Sequence, residues 1–191
     1  MPAMTTVLVL LIVGFGLDAA SAFTTAFSRR WGKTAGEVAS FVLRVVLGIP
    51  LWVIGLMMAV RTPSPALFVA PTILPALGWL LLVAGAVVQT FAIVALGMRA
   101  ARPSVSDSLA AGGVYAWIRH PIYAGLLLQF VGMVLVQPRR MVLLAAALGW
   151  VWVFVQARLE ERDLLERMPT YREYMLRVPR FVPRMLRSPD V

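Results

Sequence analysis

"PIYAGLLLQFVGMVLVQPRRMVLLAAALGWVWVFVQA" occupies residues 121–157. Two apolar runs, Pro121 to Gln137 and Met141 to Ala157, are separated only by Pro138, Arg139 and Arg140. Each run approaches the roughly 20 residues that a helix needs to cross about 30 Å of hydrocarbon. Three intervening residues leave length for a turn and nothing else. The stretch therefore reads as a helical hairpin, and two successive crossings return the chain to the face from which it started.

Three further apolar runs precede the hairpin, from about Thr5 to Phe27, Phe41 to Val60 and Leu74 to Gly97. The 191-residue chain is 60% hydrophobic with a mean hydropathy of +0.82, more than a soluble core can hide. The expected fold is all-α: a polytopic integral membrane protein of one domain with five transmembrane helices. Residues 1–98 supply three N-terminal spans, and residues 99–191 a loop, the hairpin, a projecting cytoplasmic helix end and a tail. No basic segment precedes the first run and no small-residue cleavage site follows it, so it reads as a retained span. The absence of cysteine excludes disulfides, thiolate metal sites and a cysteine nucleophile. No metal is expected.

The net charge of +9 is unevenly placed. With the N-terminus outside, Arg29, Arg30, Lys33, Arg99, Arg102, Arg119 and the tail are cytoplasmic, while the outer loops keep Arg61, Arg139 and Arg140. That asymmetry follows the positive-inside rule. The expected location is a bacterial inner membrane or its equivalent, with anionic lipid as the partner of the basic residues. Nucleic acid is not an expected partner, because no aromatic-basic binding module is visible.

In the first three spans Gly14, Gly16, Ala20, Gly78 and Gly85 allow helices to approach closely. Asp18, Arg44, Gln89 and Thr90 are the polar exceptions. Ionisable groups at membrane depth are functional candidates by default. Arg44, however, lies near a span end where it can snorkel, and Asp18 can pair with it, so both read as structural.

Polar residues concentrate from Arg99 onward, around "GGVYAWIRHPIYAG" at 112–125, which holds the single histidine of the chain. Pro121 suits a first helical position and pushes His120 out of the α region, making it the cap. The first N–H groups, of Ile122, Tyr123 and Ala124, then form an anion-receiving end. Tyr115 and Tyr123 offer flat faces for a base or a sulfonium, and Gly112, Gly113 and Gly125 leave room. A fifth helix from Met141 to Met168 would be about 42 Å long. It would carry Glu160, Glu161, Asp163 and Glu166 out above the foot of the fourth. Each feature alone has a plainer reading, as a capping histidine, an interfacial aromatic belt or a solvated glutamate face. Together they suit a zwitterionic, cationic cofactor with an aromatic base, as S-adenosylmethionine is.

The same stretch, followed by "EERDLLERMPTYREYMLRVPRFVP" at 160–183, resembles the isoprenylcysteine carboxyl methyltransferase family of membrane enzymes, which is related to phospholipid N-methyltransferases. Gly113, Tyr115, Arg119, His120, Pro121, Tyr123, Gly125, Glu160, Glu161, Leu164, Tyr171, Tyr174 and Val178 to Pro183 occupy the fixed positions of its pattern. The resemblance implies an S-adenosylmethionine-dependent methyltransferase acting on a lipophilic small molecule or lipidated acceptor. It assigns the cofactor to Asp107, Ser108, Leu109, Ala110, Tyr115, Arg119, His120, Pro121, Ile122, Tyr123 and Glu160. Glu161 is the candidate general base for a protic acceptor. Arg158 is the second candidate catalytic residue. Carboxyl-methylating relatives place an arginine one turn before the glutamate pair, where this chain has Gln156, and Arg158 lies about 200° around the helix from it. That departure puts a prenylcysteine carboxylate acceptor in doubt. A phospholipid N-methyltransferase is the alternative, with thiol or small-lipid methylation also open. A second alternative is an NADPH-dependent membrane reductase with Arg99 and Arg102 as phosphate ligands, and a non-enzymatic scaffold is a third.

Overall fold

The computed structural model describes residues 2–183; Met1 and residues 184–191, the end of the expected tail, lie outside the described residues. The chain is all-helical, and among the described residues the one extended pairing is an isolated bridge between Ala66 and Arg139. The helices are α1 (Pro2–Ala20), α2 (Thr24–Trp31), α3 (Lys33–Phe41), α4 (Ile49–Arg61), α5 (Ile73–Leu96), α6 (Pro121–Val136), α7 (Arg140–Arg167) and α8 (Tyr171–Arg177). A wide π-helical turn, Val42–Gly48, joins α3 to α4 without interrupting the rod.

Four helical stretches, Ala3–Ala20, Lys33–Arg61, Ile73–Ala100 and Arg140–Arg167, are long and apolar enough to cross a membrane. The fifth apolar element, α6, has 16 residues. The outward faces are those of an integral membrane protein. On α5, Leu80, Val83, Val87, Phe91 and Val94 recur at three- and four-residue intervals, and all are exposed. Such a stripe suits hydrocarbon and not water.

Two expected boundaries are corrected. The first run does not continue to Phe27, because α1 ends at Ala20 and α2 begins at Thr24. Polar groups make that break: Thr24 Oγ1 lies 3.0 Å from Ser40 Oγ, and the Thr25 N–H donates to Asp163 Oδ1 of α7 at 2.8 Å. A carboxylate from a distant helix thus caps α2. The second span begins at Lys33, eight residues earlier than Phe41, as one helical stretch from Lys33 to Arg61.

Glycines draw α5 and α6 together. A Cβ on Gly85 would stand 2.5 Å from the Gly125 carbonyl, and one on Gly125 would stand 2.5 Å from the Gly85 carbonyl. Gly78 and Gly132 repeat the relation two helical turns away. Between these contacts the backbones touch, and Gln129 Nε2 donates to Gln89 Oε1 at 3.2 Å across the seam. Gly125 is therefore spent on helix packing and does not make room for a ligand, contrary to the reading of the motif.

The other half of the core is aromatic. Phe15 of α1 stacks on Trp152 of α7 with centroids 4.8 Å apart, and Trp52 of α4 and Tyr123 of α6 close around the same indole at 5.7 and 5.9 Å. Gln137–Arg139 turn α6 into α7, and the 62–72 loop packs on that turn: the Leu67 N–H donates to the Pro138 carbonyl and the Arg140 N–H to the Pro65 carbonyl. At the opposite end stand the start of α3, the 97–120 loop, the end of α7 and α8. The polar residues gather there.

Candidate active site

The cap geometry at the foot of α6 is as the proline dictates. His120 has φ −124° and ψ 64°, outside the helical region, and Pro121 starts the helix. The anion-receiving end is narrower than expected, since the Ala124 N–H donates to the His120 carbonyl at 2.9 Å. The tail fixes the segment: the Arg119 and His120 N–H groups donate to the carbonyls of Pro179 and Arg180 at 2.9 and 3.0 Å.

A cavity of about 160 Å³ lies above this foot. Of the residues proposed for the cofactor, Asp107, Ser108, Leu109, Ala110, Tyr115, Arg119, His120, Ile122, Tyr123 and Glu160 all line it. Pro121 does not; it is buried as the first residue of α6. Gly113 adopts φ +58° with open space about it, so it serves the turn into Tyr115.

Glu160 carries the most elaborate set of contacts. Its Oε1 accepts from Arg44 Nη2 at 2.6 Å, Tyr123 Oη at 2.6 Å and Gln156 Nε2 at 3.2 Å. Its Oε2 lies 3.9 Å from His120 Nδ1 and makes no hydrogen bond among the described residues. One oxygen is an anchor and the other is available. Arg119 is the cationic counterpart: its side chain is 9% exposed, Nη2 lies 3.4 Å from Glu161 Oε1, and Nε and Nη1 are buried with no hydrogen-bond partner among the described residues. Buried donors left unpaired are costly, so a group that accepts from them is expected at this place.

The loop that covers the cavity is tied to α3 and to the end of α7. Ser104 Oγ donates to Glu37 Oε1 at 2.5 Å, Lys33 Nζ donates to Ser106 Oγ at 2.6 Å, and Arg167 donates to the Ser104 carbonyl. Tyr174 Oη donates to the Tyr115 carbonyl at 2.5 Å. Burial pushes the Tyr174 phenol up to about 12, and raises those of Tyr115 and Tyr171 as well. These rings are therefore neutral hydrogen-bond donors at physiological pH and not bases.

Both candidate catalytic residues are displaced by the geometry. Glu161 does not line the cavity: His120 Nε2 lies 3.1 Å from its Oε1, and Arg180 grips it from the tail, Nε to Oε1 at 3.0 Å and Nη2 to Oε2 at 2.5 Å. It is a buried clamp for the tail. Arg158 is exposed and away from the cavity. Removing the clamp with Arg180→Ala is expected to release the 178–183 segment. Limited proteolysis should then cut there faster than in the parent; an unchanged cleavage rate would remove the clamp from the account.

Arg44, Asp18 and Trp52 were not expected at the site. Arg44 lines the cavity with a side chain only 13% exposed, so it does not snorkel. Asp18 sits behind it, 3.6 Å from Arg44 Nε, and accepts from Trp52 Nε1 at 3.1 Å. The available signal was an arginine placed inside an apolar run, which the snorkelling reading discounted.

This is an integral membrane protein with a partly open site of mixed charge, walled by tyrosines and a histidine and built at one end of its helices. Residues 73–172, about half of the chain, match the phospholipid methyltransferase family, and the chain belongs to that family. The match overlaps the segment whose motif resembles the carboxyl methyltransferases. The chain is also 37% identical over 71 residues to methanethiol S-methyltransferase 1 of Bradyrhizobium diazoefficiens. That stretch is 37% of this chain and 24% of the relative, so the chain spans about a quarter of the length of the curated relative it matches. No solved structure matches the chain.

Proposed function

We propose that the protein is an S-adenosylmethionine-dependent methyltransferase of the membrane, similar to the isoprenylcysteine carboxyl methyltransferases, that methylates a lipophilic acceptor. The observation that carries the reading is one cavity lined both by the cation of Arg119 and by Glu160, whose Oε2 accepts no hydrogen bond among the described residues. A zwitterion satisfies both. Arg119 would hold the cofactor's carboxylate, and Glu160 would accept from its ammonium or ribose hydroxyls. His120 and Tyr123, stacked with centroids 5.5 Å apart, and Tyr115 offer faces for the base or the sulfonium. When bound, S-adenosylmethionine supplies a methyl carbon activated by the sulfonium. The chain's own contribution is to align the partners and exclude water. With Glu161 enclosed by three basic side chains, it is not placed to take a proton, so a thiol or amine acceptor would react as the thiolate or free amine, having given its proton to solvent before entering the site.

Gln156 bears on the class of acceptor. This side chain is wholly buried and tethers Glu160, so the position where carboxyl-methylating relatives hold an arginine carries no free cation. A thiol or a phospholipid amine fits that better than a prenylcysteine carboxylate. The relative's name supports the thiol and the family's name the phospholipid. The reductase reading loses its basic cluster: Arg99 is engaged by Asp107 and Ser108, while Arg102 is exposed and outside the cavity. For topology we take five crossings, with α6 and α7 as a hairpin, the N-terminus outside and the cavity at the cytoplasmic face beside anionic lipid.

Calorimetric titration of the detergent-purified protein tests the cofactor. S-adenosylmethionine is expected to bind saturably and NADPH not, and His120→Ala, which removes a ring from the cavity wall, should weaken binding about tenfold. Binding of NADPH alone turns the reading to a reductase, and binding of neither returns it to a scaffold.

A further inference from the structure

Glu160 is oriented by a residue from outside the matched family segment. Arg44 precedes residue 73, yet its Nη2 lies 2.6 Å from Glu160 Oε1, across 116 positions of sequence. Its remaining nitrogens are engaged as well. Nε donates to Ser21 Oγ at 3.0 Å and faces Asp18 Oδ1 at 3.6 Å, and Nη1 donates to the Ala100 carbonyl at 3.5 Å. Trp52 then holds Asp18 from behind. A continuous chain of polar contacts, Trp52 to Asp18 to Arg44 to Glu160, therefore runs from α4 and α1 into the cavity. The backbone is shaped for it: Arg44 sits in the π-helical turn Val42–Gly48, and a Cβ on Gly48 would stand 2.8 Å from the Asp18 nitrogen. The wide turn rotates Arg44 inward while Gly48 lets the helix press on α1.

Resting on the cofactor assignment above, we propose that Arg44 is a positioning residue, which holds Glu160 by Oε1 so that Oε2 is presented to the cofactor. The consequence is that the N-terminal helices are part of the site and not a passive anchor. Asp18 and Trp52 set the arginine, the arginine sets the carboxylate, and the carboxylate meets the ligand.

A double-mutant cycle on the full chain in detergent tests this, with S-adenosylmethionine affinity and thermal unfolding read for each variant. Arg44→Ala is expected to weaken the cofactor about tenfold, and Arg44→Lys, which keeps the charge, to recover part of the loss. In a Glu160→Gln background the further change on Arg44→Ala should fall below about twofold, because the residue it acts through is already altered. Equal weakening in both backgrounds, or an Arg44→Ala affinity within twofold of the parent, overturns the proposal and leaves the cofactor reading intact. Failure of the parent itself to bind S-adenosylmethionine overturns the cofactor reading, and the positioning role with it. Should Arg44→Ala not fold, Asp18→Asn replaces it in the same cycle: a loss that disappears in the Glu160→Gln background supports the chain, and an additive loss overturns it.

Discussion

Glu160→Gln is expected to weaken S-adenosylmethionine binding by roughly tenfold to a hundredfold while the protein still folds. The magnitude is that of one charge-assisted hydrogen bond, about 1.5–3 kcal/mol. The substitution is nearly isosteric, and that makes the result diagnostic. Arg44, Tyr123 and Gln156 all donate to Oε1, so the amide is expected to keep its oxygen among the three donors. Its NH₂ then replaces Oε2 at the cavity. A position that accepts hydrogen bonds becomes one that donates them, and an ammonium or hydroxyl facing it loses its partner. Glu161→Gln alters the neighbouring residue with a different result. Its losses fall on the contacts with His120 and Arg180, so it should lower the unfolding temperature more than it changes cofactor affinity. Calorimetry and thermal unfolding of the two variants side by side separate the roles. Equal losses of affinity would show that the two carboxylates act alike and would sink the assignment.

The adjacency of those two glutamates also shows where sequence reading stops. Successive helical residues point about 100° apart, so the pair must serve two different surroundings, but nothing in "EE" says which residue faces the ligand. The tail decides that, because Arg180 folds back onto Glu161. Helices α6 and α7 were legible in apolar run length and in Pro121 and Pro138, which act locally. The end of α1 was not: Ala22 and Phe23 continue the apolar run, and the break depends on Asp163 and Ser40, which belong to other helices. For Arg44 the pairing with Asp18 was legible and is present at 3.6 Å, but the contact with Glu160 was not, for the same physical reason. Near a span end, snorkelling and a buried ion pair look identical until the partner is known, and here the partner is a helix far along the chain. Asp107 to Ala110, Tyr115, Arg119, His120, Ile122, Tyr123 and Glu160 line one cavity because they occupy one short segment and α7, while Pro121, Gly125 and Glu161 of the same motifs do not line it. Gly125 shows the reverse error, in which a glycine inside a ligand motif is assigned to the ligand although it faces a neighbouring helix.

Gly125→Leu is accordingly expected to damage the fold before it touches any ligand. A Cβ there stands 2.5 Å from the Gly85 carbonyl, 3.2 Å from Gln89 Cβ and 3.3 Å from the Gln89 nitrogen. The first and last of these are backbone, which cannot swing aside as a side-chain end can. Overpacking a core commonly costs about 1–3 kcal/mol, and a clash with a facing backbone belongs at or above the upper end. Separation of α5 from α6 also reaches the site, since Tyr123 lies two residues before Gly125 and Tyr115 Oη donates to the Ala92 carbonyl of α5 at 3.4 Å. Cofactor affinity should therefore fall together with the unfolding temperature. Gly16→Ala is the matched control: Gly16 lies within α1, and beyond its own helix backbone nothing approaches within 4 Å of its would-be Cβ. Alanine there should be neutral or stabilising by up to about 1 kcal/mol through helix propensity. Thermal unfolding of both variants in one detergent gives the comparison. A Gly125→Leu protein as stable as Gly16→Ala would mean that α5 and α6 do not meet through their glycines, and the placement of the α6 foot would have to be drawn again.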